Sequence, residues 1–339
     1  MAQVVIVLLI MAVLLCLCIV VACKKRMMTV PFLYRQSAGG FYTIGTMITD
    51  NPLAVDMYDV QIIEKSKLAL PSPLQMMADP FVVRDKNKYY IFYEELTQKK
   101  YAKGADIAVL ESADGISWKR LGVALRELFH LSFPNVFQWK GEWYMMPEAD
   151  ACGELRIYKA KAFPMKWEVY TTPIKGQIYA DPMIFFKDEI IYLWYNTYID
   201  NDELRLLTAK DLKGPWSVHP ASPIRKEGND TRPSGSVYAI KDELYYFVQN
   251  HSEGYGTGVI AYQIDKLSLQ IFADHKLKEN PFLWKNGTDW CRDGMHQYSF
   301  TQMPDGQYLC VMDGINVHQA AGWKWDWKNI PIIYKRNHV

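Results

Sequence analysis

Asp79, Asp181, Arg232 and His296 head similar short segments of this chain, and their side chains are of the kinds that move protons and bind anions. Two carboxylates can divide acid and base work when their surroundings push their pKa values apart. Arg232, set among carboxylates, offers a planar fork for a sugar carboxylate or a phosphate, or pairs instead with Asp79 or Asp181. His296, like His130, suits a hydrogen bond to a sugar, a metal, or a satisfied place in a core. These residues are far apart in sequence, so they act together only if the fold gathers them.

The segments are copies of one pattern: an opening near proline, a short alternating run, a polar turn, then an aromatic-rich strand. Asp79-Pro80 leads to Tyr89-Tyr90 and Tyr93, Phe133-Pro134 to Trp143-Tyr144, and Asp181-Pro182 to Tyr192 and Tyr195. Looser copies run from Arg232-Pro233 to Tyr245 and from His296 to Tyr308. The marks Pro80, Pro134, Pro182, Pro233 and His296 are 54, 48, 51 and 63 residues apart, close to the length of a four-stranded propeller blade. Trp118, Trp167 and Trp216 follow at steps of 49. Period-two phases, regular turns and no long helical pattern after the N-terminus predict an all-β body. Phe41 to Ile48 is a candidate strand to close the ring.

In a propeller the first strand of each blade lines the central channel and opens on one face. Asp79, Phe133, Asp181, Arg232 and His296 are therefore expected to converge. Proline suits the start of such a strand on structural grounds alone. That does not explain why blades one and three both begin Ala-Asp-Pro.

Composition bounds the rest. Half of the 339 residues are hydrophobic and 14% aromatic, with 17 Pro and 20 Gly, enough for a large core with frequent turns. Lys+Arg 38 against Asp+Glu 37 leaves a formal +1, without the basic footprint that nucleic acid requires. Cys152, Cys291 and Cys310 are isolated, and no CxxC is present; buried reduced thiols are expected, not a disulfide framework or a zinc site. Asp200-Asn201-Asp202 has DxD spacing but reads as turn formers. Neither a cofactor nor a metal is expected.

Val4 to Cys23 is a run without charge, Gly or Pro, long enough for a bilayer core of about 30 Å. No basic n-region precedes it and no clean cleavage site follows, which favours an uncleaved anchor over a signal peptide. Lys24, Lys25 and Arg26 flank its C-terminal side, which by the positive-inside rule puts the body in the cytoplasm. Sequons at Asn229, Asn250 and Asn286 suit a lumenal body instead, so the side stays open. The expected organisation is an anchor over 1–26, a linker with the candidate closing strand over 27–70, and a five-bladed β-propeller over 71–339.

Ala78-Asp79-Pro80-Phe81, Ile91-Phe92-Tyr93-Glu94, His130 to Phe137, Tyr144 to Glu148 and Gly153 to Tyr158 resemble the propeller region of plant glucosamine inositolphosphorylceramide transferases. Thr231-Arg232-Pro233, Met295-His296 and Met312-Asp313-Gly314 continue the likeness. The resemblance implies a Golgi-lumenal setting. That region is similar in turn to five-bladed hydrolases of arabinosides and xylosides. In those an Asp on the first blade is the general base, an Asp on a middle blade tunes a pKa, and a Glu on a later blade is the general acid. Asp79 fits the base and Asp181 the tuning residue of a two-carboxylate inverting scheme.

Where those hydrolases carry the blade-four Glu, this chain has Arg232. Glu148 could stand in as acid, or serve as a partner of Arg156 or Arg232. The sequence stops at Val339 without a transferase domain, so a separate glycosyltransferase subunit is an expected partner. The resulting expectation is a membrane-anchored propeller that binds or processes a glycan or glycolipid headgroup, with Asp79, Asp181 and Glu148 as catalytic candidates. His130, Arg232, His296 and Asp313 are the substrate-binding candidates. The alternative is a non-catalytic glycan-binding or scaffold protein of a membrane-associated assembly.

Overall fold

The structure, a computed structural model, describes residues 2–25, 33–36, 41–70, 74–97, 104–149, 152–176, 179–197, 202–278, 280–287, 289–316 and 322–325. Residues 40–316 form one compact unit, built of five antiparallel sheets. Alternating aromatic and β-branched residues make its strands. The tight reversals carry left-handed pairs at Lys140-Gly141 and Asp188-Glu189, the geometry that matches strand twist in two-residue hairpins.

Blade one runs Leu74–Asp85, Lys88–Thr97, Asp106–Ser112 and Lys119–Leu125, and blade two Ser132–Trp139, Glu142–Glu148, Glu154–Ala162 and Lys166–Lys175. Blade three begins with Ala180–Lys187, Ile190–Asn196 and Glu203–Ala209, and blade four with Pro233–Ile240, Glu243–Asn250 and Gly258–Leu267. Short outer strands complete both. Blade five takes Tyr298–Gln302 and Tyr308–Asn316 from the end of the unit, and Phe41–Thr49 and Gln61–Ile62 from its start. The first strands of successive blades touch one another around a closed circle.

Phe41–Thr49 pairs along its whole length with Tyr308–Asn316. The ring is thus closed by a strand from the far end of the sequence, which removes an exposed sheet edge. For that reason the propeller begins at residue 40 and its unit ends at 316, not at 71 and 339.

Hydrophobic packing sits between blades. Trp194, Leu204, Tyr246 and Tyr262 join blades three and four, while Ile44, Tyr93, Leu110 and Val311 join blades five and one. Three further clusters fill the remaining junctions. Each fully buried large side chain of this kind stabilises by roughly 1.5–3 kcal/mol. Cys152, Cys291 and Cys310 are free thiols, the last two buried.

Residues 1–39 and 317–339 form a separate unit, containing helix Ala2–Lys25 and a ladder of Leu33–Gln36 with Gly322–Trp325. Val4 to Leu17 are exposed along this helix. Among the described residues no helix is long and apolar enough to cross a membrane.

Candidate functional site

The heads of the first three inner strands share an unusual backbone. Asp79, Phe133 and Asp181, each just before a proline, have φ of 51°, 45° and 46°, left-handed values that cost non-glycine residues on the order of 1–3 kcal/mol. The ladder slips at the same places, between Ala78 and Phe81, Ser132 and Asn135, and Ala180 and Met183.

At each kink the residue's own N–H meets a buried carboxylate of the preceding blade. Asp79 N–H donates to Asp313 Oδ2 at 3.1 Å, Phe133 N–H to Asp79 Oδ2 at 3.0 Å, and Asp181 N–H to Glu148 Oε2 at 2.9 Å. These hydrogen bonds to buried carboxyl oxygens offset local strain. The carboxylates therefore staple neighbouring blades as well as crowd the axis.

The five heads do converge. Arg232 Nε donates to Asp181 Oδ2, and its Nη2 lies 3.3 Å from Glu148 Oε2. Gln249 Nε2 donates to Asp181 Oδ2 at 2.7 Å and His251 Nε2 lies 2.9 Å from Gln249 Oε1. His296 Nδ1 is 2.6 Å from Asp313 Oδ2 and its Nε2 is 3.6 Å from Asp79 Oδ1. Tyr42 stacks on the His296 ring at 4.6 Å, Tyr255 meets it edge-on at 5.6 Å, and the Arg232 guanidinium lies 5.3 Å from the Tyr255 ring. His130 stands at the margin with Nε2 3.3 Å from Glu94 Oε1, and Ala105 N–H donates to its Nδ1.

Burial and crowding set the protonation. Burial lifts Asp79 to about 7 against the pull of His296. Burial, then repulsion from Asp181, holds Glu148 well above the usual carboxylate range, and burial with Asp79 does the same for Glu94. Burial alone would lower His296, but the Asp313 carboxylate raises it to about 9. Burial, then Arg232, lowers His251 to about 4.

One sequence expectation changes here, that for Asp313, and the partner left open for Glu148 is Arg232. Glu148 pairs with Arg232, whereas Arg156 pairs with Glu154 and Glu127. Asp313, expected to touch substrate, is 0% exposed. Its Oδ1 accepts the N–H groups of His296 and Gln297 and its Oδ2 that of Asp79, so it positions others. Asp202 Oδ1 accepts from Asn196 and Thr231; Asp200 and Asn201 lie outside the described residues.

Asp79, His296 and Asp313 present ligand atoms within 4.8 Å of one another, a spacing that suits a metal ion. Asp313, however, already takes three backbone N–H groups on its two oxygens.

Glu94, Gln249, Tyr42 and Tyr255 join the site without having been singled out from sequence. Glu94 had a signal: it lies opposite Ala78 as Glu148 lies opposite Ser132 and Asn196 opposite Ala180. Tyr42 had none, because it reaches the axis from the ring-closing strand.

The five-bladed ring is a fold found among solved glycoside hydrolases. The fold is similar to the catalytic domain of the GH62 α-L-arabinofuranosidase of Coprinopsis cinerea, with TM-score 0.52, 12% identity, and 80% and 97% of the two chains covered. A family 117 glycoside hydrolase of Zobellia galactanivorans gives 0.50 at 15% identity, covering 76% and 90%. The family model "Glucosamine inositolphosphorylceramide transferase 1, N-terminal" matches residues 40–315, and the chain belongs to that family. Its relative in Arabidopsis thaliana, glucosamine inositolphosphorylceramide transferase 1, is 30% identical over 311 residues, covering 84% of this chain and 40% of the relative. The protein of the same name in Oryza sativa subsp. indica is 30% identical over 254 residues, covering 72% and 34%. The chain thus spans less than half the length of these relatives.

Proposed function

We propose that the propeller is a recognition domain for a glycan or glycolipid headgroup in membrane-associated glycan synthesis, and that it binds this headgroup without cleaving it. The observation that carries this reading is Arg232. It heads blade four and contacts both Asp181 and Glu148, so the stand-in acid and the tuning carboxylate are tied to one guanidinium. Arg232 and His130 keep 14% and 37% of their side chains exposed and are the groups placed to donate to sugar hydroxyls. Asp79 and His296 lie just beneath. Residues 4–23 anchor the chain, and a separate glycosyltransferase subunit or domain acts on what the propeller holds, in keeping with the relatives' names.

A glycan array probed with the full chain and with Asp79→Ala tests the binding. Retention of one glycan class by the wild type, weakened in the variant, is the expected result; no retention by the wild type sinks the proposal. The anchor predicts that the chain stays with the membrane pellet after alkaline extraction, and release into the supernatant contradicts it.

One feature favours a second reading, hydrolysis. Glu148 holds its proton well above the ordinary range while Asp79 ionises near 7, the separation an acid and a base need. In that case the retained glycan is also turned over, and Glu148→Gln abolishes turnover while retention persists.

A further inference from the structure

Aromatic residues make up 14% of this chain, and most of them pack between blades. Among the described residues only Tyr58 and Tyr255 are exposed aromatics, at 97% and 49%. Tyr58 lies in the loop after the ring-closing strand. Tyr255 stands at the axial cluster, with the Arg232 guanidinium over its ring at 5.3 Å and His296 edge-on to it at 5.6 Å. The mouth therefore keeps an aromatic ring that the core does not use.

The backbone seats that ring. Tyr255 lies between Gly254 and Gly256, whose φ of 115° and 63° favour glycine. A Cβ on Gly256 would come within 3.1 Å of His296 Cβ, and the Gly256 carbonyl accepts the Met295 N–H at 2.9 Å. The residue after Tyr255 is thus tied to the residue before His296. Thr257 closes the loop from within, its N–H and Oγ1 both donating to the Asn250 carbonyl, at 3.2 and 2.9 Å. Burial of the phenol end, opposed by Arg232 and aided by Asp181, Asp79 and Glu148, keeps its hydroxyl protonated. The hydroxyl end dips into the cluster while the body of the residue stays open. A ring placed in advance spares the cost of ordering it on binding.

We infer that Tyr255 is the stacking platform of the axial mouth and that the sugar ring it receives is a pyranose. This rests on the binding reading above and adds the shape of the sugar. A chair with equatorial substituents presents its axial C–H bonds as a flat apolar face that matches a phenol ring. A puckered furanose offers a smaller and uneven one. Half of Tyr255 is open to such a face, and Arg232 beside it gives a donor to the ring's hydroxyls. The tyrosine sets the plane of the sugar and the guanidinium its rotation.

The test measures calorimetric affinities of the full chain for cellotetraose, xylotetraose and chitotetraose, all pyranoses, and for arabinotetraose, a furanose. At least one pyranose tetramer is expected to bind roughly tenfold more tightly than arabinotetraose. Tyr255→Ala weakens that binding roughly tenfold and removes the preference, whereas Tyr255→Phe and Tyr255→Trp stay within about threefold of the wild type. Tyr58→Ala leaves it unchanged. If Tyr255→Ala fails to fold, Tyr255→Leu, which fills the space without a flat face, shows the same loss. A pyranose bound as well by these variants as by the wild type, or a preference for arabinotetraose, overturns the platform and leaves the binding reading standing. So does the absence of binding to all three pyranose tetramers when the glycan array retains another class. No retention of any glycan on the array removes both.

Discussion

Arg232→Ala is expected to destabilise the propeller by about 3–5 kcal/mol, the usual consequence of removing one partner from a buried ion pair. Asp181 and Glu148 lose the cation that touches both, while desolvation of the carboxylates remains. The loss should depend on pH in a definite sense. A buried carboxyl whose folded pKa is raised binds a proton more tightly folded than unfolded, so it favours folding at low pH and opposes it as pH rises.

The wild type already has this slope. Asp79 moves from near 4 unfolded to about 7 folded, and His296 from about 6.5 to about 9. Both take up protons on folding, so their contribution to stability declines across pH 4 to 9. Arg232→Ala steepens the decline, because Glu148, already raised by burial, loses the cation that pulls it down. Denaturant titrations at pH 5 and pH 8 should show a gap to the wild type that is wider at pH 8. An equal gap at both would mean that Arg232 acts through packing and not through charge.

Asp313→Ala should cost on the order of 4 kcal/mol or more, from three buried backbone donors left without an acceptor at about 1–3 kcal/mol each. Those donors belong to Asp79, His296 and Gln297. The substitution also removes the stitch between blade five and blade one and the carboxylate that keeps His296 protonated. Asp313→Asn keeps one acceptor and should lose about half as much. It should also move the His296 titration, read by NMR, down from about 9. A His296 pKa unchanged in the Asn variant would show that Asp313 is not its controlling partner.

Much of this arrangement was legible before any coordinates, for identifiable reasons. Ala-Asp-Pro at two blade heads and Arg-Pro at a third mark the inner strands, because proline tolerates only a few places in a sheet and the channel-side opening is one of them. The convergence of Asp79, Asp181, Arg232 and His296 followed from blade geometry. The left-handed kinks at Asp79, Phe133 and Asp181 did not. Nothing in a residue's type announces that its N–H will find a carboxylate one blade back.

The same gap hid the true place of Asp313. A carboxylate looks like a ligand contact until its oxygens are seen to be filled by backbone donors. Glu94 matches Glu148 in repeat position, opposite a strand head and not at one, where the Asp-Pro pattern leaves no mark. Segment 41–49 was legible as a candidate closing strand from its alternation, but its partner, Tyr308–Asn316, lies at the other end of the unit. A long-range pairing of that kind leaves little local trace.

In the proposed function this propeller keeps a sugar-binding mouth while Arg232 withholds the acid that cleavage needs. This is tested most directly by incubating the wild-type chain with arabinan- and xylan-derived oligosaccharides and measuring new reducing ends over pH 5 to 8. The account predicts no release above that of Asp79→Ala at any pH. Release that the wild type sustains and Asp79→Ala abolishes would contradict it.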